Sequence, residues 1–303
     1  MKVDLCGIPL RNPVIAASGT FGYGVEFERI VDLERLGAFV VKGLSREPIR
    51  GNPPPRLWET RNGMINSVGL QNVGVTAFVR DKLPALRKYN TPVFANIFGY
   101  AVDDYCEVAR ILENAEGVAA YELNVSCPNT KCGGIQFSSD PAMLASVVQP
   151  VVKLSHRPVI VKLSPNVDRI EPLAQAAEAA GAAAISLVNT FVALALDPVS
   201  GAPRIGNGMG GLSGPAIKPI ALRMVAQAAR AVRIPVVGVG GIASGEDAAE
   251  FLLAGATAVE VGTASFWDPK ATVRIAAELE RFLARERLAS AAELTGKLKR
   301  WPG

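Results

Sequence analysis

Two apolar runs in this chain end on a lysine, Ala38-Phe-Val-Val-Lys42 and Val159-Ile-Val-Lys162. An ammonium at the end of a buried strand requires an anion or a strong acceptor, and the adjacent sequence offers none. Either lysine alone would equally suit a side chain that snorkels to solvent or pairs with a carboxylate on a neighbouring loop. Two of them in equivalent positions, with Asn96, Asn124 and Asn189 closing further apolar runs, point to a ligand site.

A thiol stands in the same setting. Asn124-Val-Ser-Cys-Pro-Asn129 leaves an apolar run and puts Cys127 just beyond its end. A thiol's ordinary pKa, about 8.5, is near enough to neutrality for proton abstraction. The plainer alternative, a small buried hydrophobe, fits less well among Asn, Ser and Lys. Cys127 and Cys132 have no further Cys pair or His at a spacing that completes a metal or cluster site, so no metal is expected. Gly238-Val-Gly-Gly-Ile242 and Val261-Gly-Thr-Ala264 offer bare amides suited to a phosphate. Gly206, Gly208 and Gly211 match a dinucleotide fingerprint by spacing, but they follow Pro203-Arg204 instead of a strand, and the match is rejected. The single histidine, His156, precedes an apolar run in Ser155-His-Arg-Pro158 and is read as structural.

The elements that must position these groups alternate along nearly the whole chain. Strands are expected at 14–17, 38–42, 92–97, 119–125, 158–163, 183–188, 235–239 and 257–261. Helices are expected at about 26–35, 73–88, 102–114, 140–154, 168–180, 216–232, 245–254 and 271–285. Eight strand–helix repeats predict an α/β fold, a (β/α)8 TIM barrel forming a single domain over 1–303. A small N-terminal hairpin at 3–10 closes its bottom, and chemistry belongs at the C-terminal mouth, where the polar run-ends lie. Two connections, 43–72 and 189–215, are long enough to be inserted lids or binding loops at that mouth.

Composition narrows the classes. The 303 residues are 49% hydrophobic and 20% charged with a formal charge of +4, and no basic run suggests nucleic acid. The opening residues resemble neither a signal nor a transit peptide, and four irregularly spaced cysteines suggest reduced thiols, so a cytoplasmic protein without membrane contact is expected.

Taken together, Asn12-Pro-Val-Ile-Ala-Ala-Ser-Gly19, Gly51-Asn-Pro-Pro-Pro-Arg56, Asn66-Ser-Val-Gly-Leu-Gln-Asn72, Glu122-Leu-Asn-Val-Ser-Cys-Pro-Asn129, Val161-Lys-Leu-Ser-Pro-Asn166, Gly210-Gly-Leu-Ser-Gly-Pro-Ala-Ile-Lys-Pro219 and Val261-Gly-Thr263 resemble the class 1B dihydroorotate dehydrogenases over essentially the full chain. The resemblance implies an FMN site formed by Ser18, Gly19, Lys42, Gly43, Asn96, Asn124, Lys162, Val188, Gly214, Gly240, Gly241, Gly262 and Thr263. It implies an orotate site formed by Lys42, Asn66, Gly69, Leu70, Asn124, Asn129, Asn189 and Thr190. Asparagine suits a pyrimidine edge because its amide both donates and accepts. Cys127 is the implied base, removing the C5 proton of dihydroorotate while C6 passes a hydride to FMN, with Lys42 and Lys162 as charge partners. Cys132 departs from the pattern, which often has histidine there.

The resemblance further implies a role in pyrimidine biosynthesis and an electron-transfer subunit carrying FAD and a [2Fe-2S] cluster that passes electrons to NAD. A homodimer core within a heterotetramer is the implied assembly. The fumarate-linked class shares the cysteine, but its Gly-Leu-Pro-Asn pattern fits less well than Gly-Leu-Gln-Asn here. Other pyrimidine-acting flavin barrels and a catalytically silent barrel are the remaining alternatives.

Overall fold

The computed structural model describes residues 1–126, 128–129 and 135–299, with backbone alone at 128–129 and 135–136. Eight parallel strands close into a barrel: β1 (Val14–Ala16), β2 (Ala38–Val40), β3 (Val93–Ile97), β4 (Ala120–Asn124), β5 (Val159–Lys162), β6 (Ala184–Leu187), β7 (Val236–Val239) and β8 (Ala258–Val261). Each pairs with the next in sequence, and β8 returns to β1 with Val259 opposite Val14. All eight lie where the apolar runs place them. Buried on both faces, such strands read as continuous hydrophobic stretches.

Side chains alternate along each strand, so every second residue enters the barrel. The lowest interior layer is apolar and includes Ile15, Val40, Phe94, Ala120, Ile160, Ala184, Val237 and Ala258. Leu5 and Leu10 pack against it from the hairpin Val3–Leu5/Ile8–Leu10, which plugs the bottom as expected. Two residues further along the strands the layer turns polar, with Asn96, Glu122, Lys162, Ser186 and Glu260 all buried. Branched apolar residues ordinarily fill such layers.

Helices form at Val102–Glu113, Pro141–Leu154, Glu171–Ala179, Lys218–Ala231, Gly245–Leu253 and Ala271–Arg285, matching six of the expected spans. The helix expected at 26–35 does not form; two short 3₁₀ turns, Val25–Phe27 and Leu33–Arg35, stand in its place. The Glu26 carboxylate takes the Tyr23 amide and Asp32 takes that of Glu34, and these local bonds divide the segment. The segment expected at 73–88 is helical from Val75 to Leu86 with a π-turn over Phe78–Lys82.

The two long connections are not independent lids. Leu57–Thr60 and Gly63–Asn66 from the first join Met209–Ser213 and Phe191–Leu194 from the second in one antiparallel sheet. Asn66 lies opposite Gly211 across the seam between the two insertions. No helix among the described residues is long and apolar enough to cross a membrane.

Candidate active site

Strand ends and the antiparallel sheet enclose a cavity of ≈ 480 Å³ at the barrel mouth, within the range of cofactor and small-molecule sites, roughly 300–1,000 Å³. Every residue expected to contact cofactor lines it. Ser18 and Gly19 come from the end of β1, Lys42 and Gly43 from β2, Asn96 from β3, Asn124 from β4 and Lys162 from β5. Val188 follows β6, Gly240 and Gly241 follow β7, Gly262 and Thr263 follow β8, and Gly214 follows the last strand of the sheet. Of the expected substrate contacts, Lys42, Asn66, Gly69, Leu70, Asn124, Asn189 and Thr190 line the same cavity. Cys127 lies outside the described residues, as do Cys132 and the side chain of Asn129. Ser126, the chain neighbour of Cys127, lines the cavity.

The amides are held by one another. Asn189 Nδ2 donates to Asn124 Oδ1 at 3.4 Å and to Ser126 Oγ at 3.1 Å. Asn166 Nδ2 reaches the Thr190 carbonyl at 3.0 Å and its Oδ1 accepts from the Val192 amide, tying β5 to the sheet. Asn66 Nδ2 bonds the Gly211 carbonyl across the insertion seam. The Gly69-Leu70 turn has positive φ at both residues (73° and 57°). Leucine tolerates that conformation poorly, and its persistence at a cavity wall marks a turn fixed by its surroundings. Asn72 supplies the fixing: its Nδ2 donates to the Leu70 carbonyl and to Ser45 Oγ, and its Oδ1 accepts from the Gly74 amide.

The two lysines differ. Lys42 is largely buried, and no hydrogen bond or ion pair to its ammonium is present among the described residues. Burial alone pushes its pKa down. Lys162 is met by Glu260 at 2.9 Å and by Glu122 at 3.5 Å, both essentially inaccessible to solvent. Burial pushes its pKa down, but the two carboxylates outweigh that and hold it above the ordinary lysine value. The expectation that Lys162 depends on a ligand for its partner is therefore corrected: the protein supplies two.

Sequence reasoning missed those glutamates, although a signal was present. Glu122 in Ala120-Tyr-Glu-Leu-Asn124 and Glu260 in Ala258-Val-Glu-Val261 are acids inside apolar runs, in the inward phase of the alternation. It also missed Asn52, Phe266 and Trp267 on the cavity wall. His156 stands away from the cavity, exposed and 2.9 Å from Glu113, in keeping with a structural role.

Glycines after β7 and β8 shape a cradle. A Cβ on Gly241 would approach the Gly214 carbonyl and the Lys218 amide at 2.8 Å, and one on Gly240 would strike Ala221. Packing therefore accounts for both. At Gly262 a Cβ would meet nothing closer than Ala17 at 3.6 Å, so the protein itself leaves that backbone bare toward the cavity. A helix-opening, glycine-rich turn after the seventh and eighth strands suits a phosphate.

Comparison with known proteins agrees with this geometry. The family model described as dihydroorotate dehydrogenase matches residues 1–283. A Solibacter usitatus protein named putative dihydroorotate dehydrogenase A (fumarate) is 68% identical over 299 residues, 99% of this chain and 98% of its own. Proteins of Trichlorobacter lovleyi and Geobacter sulfurreducens, each named dihydroorotate dehydrogenase B (NAD(+)), catalytic subunit, are 55% identical over 299 residues. For the Trichlorobacter protein this is 99% of this chain and 98% of its own.

Proposed function

We propose that this chain, which belongs to the dihydroorotate dehydrogenase family, oxidises dihydroorotate to orotate in pyrimidine biosynthesis, with FMN bound in the mouth cavity. The observation that carries the proposal is the gathering of a largely buried Lys42, without a partner among the described residues, with Asn66, Asn124 and Asn189 around one cavity. A carboxylated pyrimidine offers an anion to the first and an edge of donors and acceptors to the others. The residues fit FMN: bare backbone at Gly262 and the cradle at Gly240-Gly241 suit its phosphate, and Lys162 brings an ammonium, paired with Glu122 and Glu260, to the cavity floor. FMN, when bound, supplies the hydride acceptor.

This chain's own groups do the rest. Lys42 takes the substrate carboxylate, which repays the desolvation of its ammonium. The asparagines fix the ring, and the sheet built from the two insertions excludes water above it. Cys127 acts as the base at C5, one residue beyond the cavity-lining Ser126. Cys127→Ala is expected to retain FMN and lose turnover by about 10²–10⁴-fold; turnover at the parental rate would remove the thiol from the mechanism. The whole proposal is tested by anaerobic titration of the purified yellow chain with dihydroorotate. Bleaching of the flavin band is expected, and an unchanged spectrum would overturn it.

For the electron acceptor we infer a partner subunit carrying FAD and a [2Fe-2S] cluster that delivers electrons to NAD, in a cytoplasmic assembly of two copies of each chain. Relatives 55% identical carry names as NAD-linked catalytic subunits, which supports a partner. A fumarate-linked enzyme is the second reading, favoured by the name of the 68% identical relative. The purified chain alone separates them. Rapid turnover with fumarate would favour the second reading, and dependence on an added subunit for NAD reduction would favour the first.

A further inference from the structure

Beneath the cavity, three charged side chains meet in a space nearly closed to solvent. Glu122 from β4 and Glu260 from β8 are 0% and 2% exposed, and Lys162 from β5 lies within ion-pair distance of both. The two carboxylates therefore share a single ammonium. One ammonium neutralises one carboxylate, and a second buried carboxylate without a counter-cation takes up a proton instead of staying charged.

The donors decide which glutamate carries it. Glu122 accepts from Asn96 Nδ2 at 2.6 Å through one oxygen and from Ser186 Oγ at 2.9 Å through the other, in addition to Lys162. Glu260 has Lys162 at 2.9 Å and no neutral donor among the described residues. Two extra donors favour the ionised form at Glu122 although its ammonium contact is the longer one. We propose that Glu260 is a protonated carboxylic acid at neutral pH, so that the triad is neutral and the charge of Lys162 is cancelled once, not twice, beneath the cavity. Glu260 is thus a positioning residue for the charge of the cavity floor.

The surroundings leave that assignment unopposed. The strands flanking β8 present Ala17 and Val239 to the cavity, neither of which titrates. Across the barrel stand the buried Asn96, Glu122, Lys162 and Ser186, and Lys42, just beyond β2, makes no ion pair with either glutamate among the described residues. Burial first, and then the charge of Glu122, push the Glu260 carboxyl above the usual range, in agreement with the geometry.

The consequence for FMN rests on the function proposed above. A neutral triad tolerates negative charge arriving in the cavity on cofactor reduction, whereas an ionised Glu260 opposes it. Infrared spectroscopy of the purified full chain at neutral pH tests the proton itself, and the flavin midpoint potential tests its effect. The parent should show a carboxylic-acid carbonyl band that Glu260→Gln lacks. Glu122→Gln should also abolish it, because Glu260 then ionises as the sole counter-ion of Lys162. The potential of Glu260→Gln should match the parent at neutral pH and lack the parent's extra fall as Glu260 ionises at higher pH.

A parental spectrum without the band, its survival in Glu122→Gln, or a Glu260→Gln potential raised above the parent's at neutral pH would overturn the proposal. Should Glu260→Gln fail to fold, Glu122→Gln decides by the infrared band. A chain that binds no flavin would sink the functional proposal, while the infrared result would still decide where the proton sits.

Discussion

Lys42 shows how a single residue can be costly to the fold and necessary to the site. Its ammonium is desolvated without a partner among the described residues, which lowers its pKa. A lysine whose folded pKa is depressed destabilises the chain below that pKa, and the cost fades as pH rises toward the ordinary value, 10.5. Lys42→Met is therefore expected to raise the stability of the ligand-free chain by about 0.5–2 kcal/mol at neutral pH while weakening dihydroorotate binding sharply. Thermal unfolding at several pH values, beside a substrate titration, checks both. An unchanged or lowered melting temperature would show that the ammonium is well solvated.

At the scale of elements, the seam between the two insertions controls the cavity roof. A Cβ on Gly211 would fall on the Thr190 side chain, and Gly211 has no positive φ, so any effect of substitution there is steric. Gly211→Ala is expected to raise KM for dihydroorotate several-fold with FMN retained, which steady-state kinetics and absorbance report together. A second junction lies at the opposite end of the barrel. The Glu113 carboxylate joins the end of its helix to Tyr121 at 2.7 Å and to His156 at 2.9 Å, with Arg157 at 3.4 Å. Burial would raise its pKa, but these bonds outweigh it and hold the value at about 2 against an ordinary 4.5. The stability Glu113 contributes is complete above 4.5 and is lost as pH falls toward about 2. Glu113→Gln should cost about 1.5–3 kcal/mol at neutral pH and flatten the acid limb of a stability–pH curve. An acid limb as steep as the parent's would place the titrating group elsewhere.

At the scale of the whole molecule, exposed apolar side chains gather on the outer strand of the mouth sheet. Val192, Leu194 and Met209 are 60%, 51% and 58% exposed, and Leu194 and Met209 face each other across neighbouring strands. Phe191–Leu194 is also an edge strand of the mouth sheet. Contiguous apolar surface on an unpaired edge favours association. Replacing Val192 and Leu194 together by Glu should lower the mass of the chain by light scattering and leave FMN content unchanged. A mass equal to the parent's would move the contact to another face.

The eight barrel strands were legible from sequence because a strand buried on both faces must be apolar along its length. Lys42, Asn96, Asn124, Lys162 and Asn189 were legible because polar groups at the ends of such runs have few other uses, whereas Asn66, Gly69, Leu70, Val188 and Gly214 were expected only from the family resemblance. The segment 26–35 was misread, since its side-chain-to-backbone bonds override an apolar spacing that suits a helix. The partners of Lys162 were hidden for a different reason: Glu122 and Glu260 stand 40 and 98 residues from it in sequence. Only closure of the barrel makes them neighbours, and only the pairing of two insertions 145 residues apart, Asn66 with Gly211, roofs the cavity. Alternation and burial are local consequences of strand geometry and can be read along the chain. Which strands meet, and so which charges are buried together, depends on contacts that exist once the chain has closed upon itself.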